Sequence, residues 1–265
     1  MPAKPDQRGQ GALRDRLGRS FGAVASQYAA ARPGYPGTLV SDIVRNATHV
    51  LELGAGTGIL TRALASMNLA SLVATDPDTN MIAELRETLP EVTAVVARAE
   101  RLPFVDQHFD LVIVGQAAHW FDLGPAAREI RRVLCPSGEL ALLWNHRSLE
   151  LEWVAQFDRI VQAHAVSTVD REVAEEISAT GCFGHFSMRT ESFEHRVDLE
   201  GARNLVESFS HVSTLAPTTR ATVIEQALDH LRPRADQYGV VTIPYYCEAH
   251  IARATEEYAQ DQAKL

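Results

Sequence analysis

Apolar positions along this chain follow two rhythms. From His49 to Asn145, short apolar runs alternate with stretches in which apolar residues recur every three or four positions. The runs predict buried strands at His49–Leu53, Ser71–Thr75, Val92–Ala97, Phe109–Gly115 and Glu139–Asn145. The stretches between predict helices at Thr57–Ser66, Asp78–Leu89 and Leu123–Leu134. The last has a clear stripe of Ala126, Ala127, Ile130, Val133 and Leu134. Cys135-Pro136-Ser137-Gly138 should end it with a turn, and Arg98–His108 reads as a loop. Strands that alternate with helices need crossover connections. These give a mostly parallel sheet covered on both faces, an α/β architecture.

On either side of this block the rhythm changes. Upstream, Ser20 can cap a helix over 20–31 that places Phe21, Val24, Ala25 and Tyr28 on one face. Arg32-Pro33-Gly34-Tyr35-Pro36 breaks it, and a second helix follows from Gly37 to Arg45. Downstream, helices are expected at Leu149–Ser167, Arg171–Thr180, Gly201–Ser210 and Thr218–Leu231. Strands are expected at Met188–Leu199 and Gly239–His250. Two late strands separated by helices can complete a seven-stranded sheet. No Gly/Ser/Pro-rich linker divides the chain, so 20–265 reads as one domain. Within it, 20–47 is the N-terminal helical part, 48–145 the regular half and 146–265 the half beyond it.

Bulk properties narrow the partners. The chain has 265 residues, 46% hydrophobic and 22% charged, with net charge −9. That balance disfavours a stable grip on nucleic acid or an anionic membrane. Residues 1–19 are polar and read as a flexible tail; their local basic excess, Lys4, Arg8, Arg14, Arg16 and Arg19 against Asp6 and Asp15, also suits a nucleic-acid-binding arm. No apolar stretch is long enough to span a membrane, and the N-terminus lacks a secretion signal. Cys135, Cys182 and Cys247 stand far apart and form neither a zinc motif nor a disulfide framework. A cytoplasmic location follows.

The chemistry concentrates in Val50-Leu51-Glu52-Leu53-Gly54-Ala55-Gly56-Thr57-Gly58, where the first strand turns into the first helix of the alternating block. Gly54 permits the tight turn, Gly56 lets the backbone approach a ligand, and Gly58 lets the helix pack near the strand. Pyrophosphate-binding loops use the same logic. Here, however, the spacing is G-x-G-x-G, and Glu52 precedes the loop. A carboxylate at that place repels phosphate and attracts the ammonium of an amino acid. Asp76, 22 residues after Gly54, ends the second strand, where an acidic side chain can accept hydrogen bonds from both ribose hydroxyls. The competing reading makes Asp76 a turn or helix-cap residue before Pro77. Ala99 and Glu100 follow the third strand, where a backbone N–H and a carboxylate can meet an adenine ring.

Together these segments resemble the class I S-adenosylmethionine-dependent methyltransferases, in their small-molecule branch. The match runs through the Glu52-to-Gly58 loop, Asp76, Ala99-Glu100-x-Leu102-Pro103-Phe104, Phe109-Asp110 and Leu134-Cys135-Pro136-Ser137-Gly138, where Ser137 replaces the first Gly of the family's turn. Phe21, Ala25, Tyr28, Arg32, Pro33, Tyr35 and Pro36, with Gln116-Ala117-Ala118-His119-Trp120-Phe121, Leu143-Trp144-Asn145 and more weakly Pro244-Tyr245-Tyr246, are similar to the branch of trans-aconitate methyltransferases. One departure is Arg98, where family members often carry Asp.

The resemblance implies a Rossmann-like, doubly wound seven-stranded sheet of order 3-2-1-4-5-7-6 with the last strand antiparallel. It also implies an N-terminal helical lid in which Tyr28, Arg32 and Tyr35 fold over the site. It makes 48–145 the donor-binding half and 146–265 the acceptor-side half. The implied donor residues are Tyr28, Arg32, Glu52, Gly54, Ala55, Gly56, Gly58, Asp76, Met81, Ala99, Glu100 and Gln116.

On the acceptor side, Tyr35, His119, Trp120 and Asn145 are the candidates, His119 being the one candidate catalytic group. It follows the carboxyl end of a strand, where open α/β sheets bind ligands, and can orient a carboxylate or take a proton from a hydroxyl. No Asn-Pro-Pro-Tyr-like segment follows strand four, which argues against methylation of nucleic-acid or protein amide nitrogen. The other histidines show no metal-ligand spacing, so no metal is expected. The acceptor is then a small molecule, methylated on a carboxylate or hydroxyl oxygen. Two rivals remain open: a non-catalytic S-adenosylmethionine-binding or interaction protein, and a nicotinamide-dependent oxidoreductase.

Overall fold

The computed structural model describes residues 31–163 and 170–255. The expected helix over 20–31, the tail before it and Tyr28 lie outside the described residues, apart from Ala31.

The alternating block forms as its apolar runs predict. Helix α1 (Gly37–Val44) leads into β1 (His49–Leu53), α2 (Ile59–Ala65), β2 (Ser71–Asp76), α3 (Thr79–Thr88), β3 (Thr93–Val96) and β4 (Phe109–Gly115). A short 3-10 turn, Ala118–Trp120, precedes α4 (Leu123–Val133) and β5 (Leu134–Arg147). Then come α5 (Glu152–Gln162), α6 (Asp170–Ser178), β6 (Ser187–Asp198), α7 (Leu199–Glu207), α8 (Ser210–Ser213), α9 (Pro217–Leu231) and β7 (Val240–Arg253). The strand order is β3-β2-β1-β4-β5-β7-β6. Strands β1 to β5 run parallel, and β7 is antiparallel to both of its neighbours.

The strands are near-continuous apolar runs because both faces are covered. On one face Val50, Leu111, Ile113, Ala141, Leu143, Cys247 and Ala249 pack against Leu39, Val40, Leu60 and Leu64 of α1 and α2. On the other, Leu51, Val112, Val114, Leu140, Leu142 and Trp144 meet Ala126, Ala127 and Ile130 of α4 and Val173, Ala174 and Ile177 of α6. A fully buried Leu or Val contributes about 1.5–3 kcal/mol, far more than an exposed ion pair such as Arg45–Asp42, worth about 0–1 kcal/mol. The sheet's side chains therefore hold the fold.

Three local readings need correction. Cys135–Gly138 is not a turn that separates helix from strand. Phe109 pairs with Leu134 and Leu111 with Glu139, so these residues bulge inside a longer β5. The helix predicted from Leu149 begins only at Glu152 and is described to Gln162. Helix α8 and the 3-10 turns after β4 and at Arg232–Arg234 were not expected; each is too short to carry a period.

Beyond Arg147, β6 and β7 continue past the rest of the sheet, since Arg147 pairs with Tyr245 while β7 begins at Val240. On this extension Val197, Val241, Ile243 and Tyr245 gather Phe157 and Val161 of α5, Leu205 and Val206 of α7, and Val223, Ile224, Ala227 and Leu228 of α9. This second core stands at the carboxyl end of the parallel strands, and Ala31 is buried in it. The chain thus enters its regular half from a position anchored on the opposite half.

Candidate functional site

The glycine loop after β1 is held by the strand next to it. Ala55 N–H donates to the Thr75 carbonyl at 2.9 Å, and Gly56 N–H donates to Asp76 Oδ2 at 2.9 Å. Asp76 Oδ1 accepts from Asp78 N–H at 2.9 Å. Asp76 is therefore a turn residue and also a brace for the loop, and each of its oxygens keeps acceptor capacity. The helix cap belongs to Asp78, which accepts from Asn80 and Met81 N–H at the start of α3.

Gly54, Gly56 and Gly58 all have left-handed backbones, with φ of +67°, +56° and +88°. Their surroundings differ. A side chain at Gly54 would overlap the Ala117 side chain, so this glycine lets the loop after β4 sit on the loop after β1. At Gly58 a Cβ would lie 3.3 Å from Leu85 and Leu89, so its close neighbour is α3, not the strand expected from the sequence. At Gly56 a Cβ would meet nothing within 4 Å. Gly56 lines a cavity of about 820 Å³.

The cavity lies at the carboxyl ends of β1, β2, β4 and β5. It brings together the described donor candidates Arg32, Glu52, Gly54, Ala55, Gly56, Asp76, Met81, Ala99, Glu100 and Gln116, along with Tyr35, His119, Trp120 and Asn145 from the acceptor set. Gly58 alone of the described set is outside its lining, placed instead against α3.

Glu52 is 1% exposed, and its Oε2 has no hydrogen-bond partner. Burial pushes its carboxyl up to about 8; the Thr61 hydroxyl opposes the shift and the Asp76 charge adds to it. Burial also raises the Asp76 carboxyl above its ordinary value, against the pull of the Asp78 and Gly56 N–H groups. Glu100 is more engaged than its sequence position suggests. Its Oε1 accepts from Asp122 N–H at 2.8 Å, and Arg98 Nε lies 3.3 Å from its Oε2.

On the other side, Gln116 carries a left-handed φ of +56°, rare for a residue with a side chain, at the turn out of β4. Its N–H reaches the Leu143 carbonyl at 2.9 Å, and its Nε2 donates to the Asn145 carbonyl at 3.1 Å. Asn145 Nδ2 in turn donates to the Gly34 carbonyl at 2.9 Å, leaving Asn145 Oδ1 buried without a hydrogen bond. The His119 and Trp120 rings lie 4.9 Å apart in the 3-10 turn. Tyr35 covers the end of β4 so closely that any side chain at Gly115 would overlap its hydroxyl.

Arg32 is clamped on the second core. Its Nε donates to Ser208 Oγ at 2.9 Å, and its Nη2 to the Ser208 carbonyl at 2.8 Å. Its guanidinium lies 5.1 Å from the centre of the Phe209 ring. Sequence reasoning missed Gly115, Ser208 and Ser210, the last of which lines the cavity. Gly115 had a signal, a glycine closing an apolar strand. Ser208 and Ser210 had none, because they reach the site only through the packing of α7 and α8.

These residues fit S-adenosylmethionine. The orphaned Glu52 oxygen suits an ammonium, the space over Gly56 admits a chain with no side chain in its way, and Asp76 retains lone pairs for a diol.

Comparison with known proteins agrees. Residues 51–142 match the model of the methyltransferase domain family. An uncharacterised methyltransferase of Mycobacterium tuberculosis is 39% identical over 158 residues, which span 59% of this chain and 65% of that protein, just under two thirds of its length. An uncharacterised methyltransferase of Schizosaccharomyces pombe is 30% identical over 246 residues, 88% of this chain and 98% of the relative. Among solved structures, one described as a type II methyltransferase from Anaeromyxobacter dehalogenans superposes with a TM-score of 0.64 at 23% identity, over 84% of this chain and 97% of that one, and so shares the fold. With a relative matched almost end to end and the glycine loop inside the matched segment, the chain belongs to the methyltransferase family.

Proposed function

We propose that this protein transfers the methyl group of S-adenosylmethionine to an oxygen of a small-molecule acceptor, a carboxylate or a hydroxyl. The observation that carries the reading is one cavity whose wall holds Glu52, Gly56 and Asp76 on one side and His119, Trp120 and Asn145 on the other. S-adenosylmethionine supplies, when bound, an electrophilic methyl group on a sulfonium centre. The chain's residues do the rest. Glu52 would hold the ammonium and Asp76 the ribose hydroxyls, while Met81, Ala99 and Glu100 line the cavity beyond them. Arg32, Tyr35 and Ser210 line the cavity as well, and would help to shield the reacting groups from water. Holding the nucleophile in line with the methyl group supplies much of the rate enhancement.

A carboxylate acceptor needs no base, and His119 would orient it. A hydroxyl acceptor loses a proton, and the His119 ring would take it. The trans-aconitate-like segments support the carboxylate option. A cavity of about 820 Å³ is within the range of small-molecule sites, and the net charge of −9 supports a non-nucleic-acid acceptor.

The test uses methyl-labelled S-adenosylmethionine and, in parallel, the small-molecule, protein and nucleic-acid fractions of a cell extract, with products identified by mass. A labelled small molecule bearing one added methyl on oxygen is expected. His119→Ala should slow its formation while leaving donor binding intact. Label appearing only in protein or nucleic acid would reject the small-molecule reading. No transfer to any fraction would favour a binding protein over an enzyme.

A further inference from the structure

Glu52 is the only carboxylate side chain among the buried charged groups of the described residues. Its cross-strand partners are apolar: Ala74 on β2 and Ile113 on β4. The glycine loop offers the Thr57 hydroxyl and the first turn of α2 that of Thr61, both buried. The charged group that acts on it is Asp76, which repels a second negative charge. Other ionisable groups in the cavity have their own engagements. Asp78 caps α3, Arg98 and Glu100 face each other, and Arg32 is bonded to Ser208. Tyr35 and His119 belong to the β4 end of the cavity. An isolated buried carboxylate without a compensating cation is costly, and such a group keeps its proton instead.

We infer that Glu52 is protonated when the cavity is empty and gives up its proton to solvent when a ligand places an ammonium beside Oε2, so that the cavity selects ammonium-bearing ligands by proton exchange. This rests on the reading of the cavity as a donor pocket. The exchange balances: a neutral carboxyl and a cationic amine become an ion pair, and one proton leaves. A carboxyl displaced to about 8 is protonated at neutral pH, in keeping with this. Ligands lacking the ammonium leave the carboxyl neutral and lose only what the ion pair would have contributed. Glu52 would thus distinguish S-adenosylmethionine and S-adenosylhomocysteine from nucleosides of the same shape.

The test is calorimetry at pH ~6.5 in two buffers of different ionisation enthalpy, which counts protons exchanged on binding. S-adenosylhomocysteine should bind wild-type protein with release of about one proton. 5′-Methylthioadenosine, which keeps the nucleoside but lacks the amino acid end, should bind with none. Glu52→Gln should bind S-adenosylhomocysteine without release. Binding of S-adenosylhomocysteine to wild type with no proton released would overturn the inference and leave the donor pocket standing. So would an undiminished release from Glu52→Gln, or an equal release with 5′-methylthioadenosine. Failure of both ligands to bind wild type would overturn the donor pocket itself, and the inference with it.

Discussion

Gly54 and Gly56 stand two residues apart on the same loop, with similar backbones and opposite surroundings. A side chain at either position adopts a left-handed conformation that costs about 1–2 kcal/mol. At Gly54 it also meets Ala117, so Gly54→Val should unfold or strongly destabilise the protein. At Gly56, which lines the cavity, it meets nothing within 4 Å. Gly56→Val should therefore stay folded while losing donor binding. Thermal melting and calorimetric titration with S-adenosylhomocysteine separate the two; wild-type affinity in a folded Gly56→Val protein would remove the loop from the site. Asp76→Ala deletes the brace on Gly56 together with the proposed ribose contacts. Charged hydrogen bonds are worth about 1.5–3 kcal/mol, so donor affinity should fall about 10- to 150-fold. An unchanged dissociation constant would leave Asp76 as a turn residue alone.

At the scale of elements, the segment before α1 ties the two halves together. Ala31 accepts at its carbonyl from the His195 ring at 2.9 Å, Arg32 bonds Ser208, and Gly34 accepts from Asn145. These contacts draw on β6, on the end of α7 and on β5. Three independent elements thus converge on a stretch whose two prolines keep it from joining a helix. The same stretch walls the cavity through Arg32, Pro33 and Tyr35. A ligand there should add contacts and slow its local opening. Amide hydrogen exchange in residues 31–37 is expected to slow on addition of S-adenosylhomocysteine. Exchange that is unaffected there, while the β1 loop becomes protected, would show that the segment covers the site without responding to it.

Across the whole molecule, the raised carboxyl of Glu52 makes stability depend on pH. An acid whose folded pKa is raised stabilises the fold fully below its ordinary value near 4.5, and that contribution is lost as pH rises through about 8. The wild-type melting temperature should therefore fall relative to Glu52→Gln over that interval, and saturating S-adenosylhomocysteine should reduce the difference. Parallel curves would mean that Glu52 ionises freely.

Much of the architecture was legible from the chain because each parallel strand is a short apolar run flanked by turn residues; His49–Leu53 and Phe109–Gly115 form as read. The order of the strands was not in the periodicity and came from the resemblance. That Glu52, Gly54, Gly56 and Asp76 gather at one cavity was legible because they are local: Glu52 to Gly58 is one turn, with Asp76 one strand away. What packs from beyond β5 was not. Ser208, Ser210 and the contact of Ala117 on Gly54 depend on packing between segments far apart in sequence, and the second core at the end of β6 and β7 leaves no local signature. The bulge at Cys135–Gly138 was hidden because Pro and Gly there suggest a turn equally well.

The central claim is that the cavity is built for S-adenosylmethionine, and its most direct test is a calorimetric titration of the purified protein with S-adenosylmethionine and, separately, with NAD. The account predicts saturable one-to-one binding of S-adenosylmethionine, lost in Gly56→Val, and no measurable binding of NAD. Saturable binding of NAD with none of S-adenosylmethionine would contradict it and make the glycine loop a pyrophosphate site.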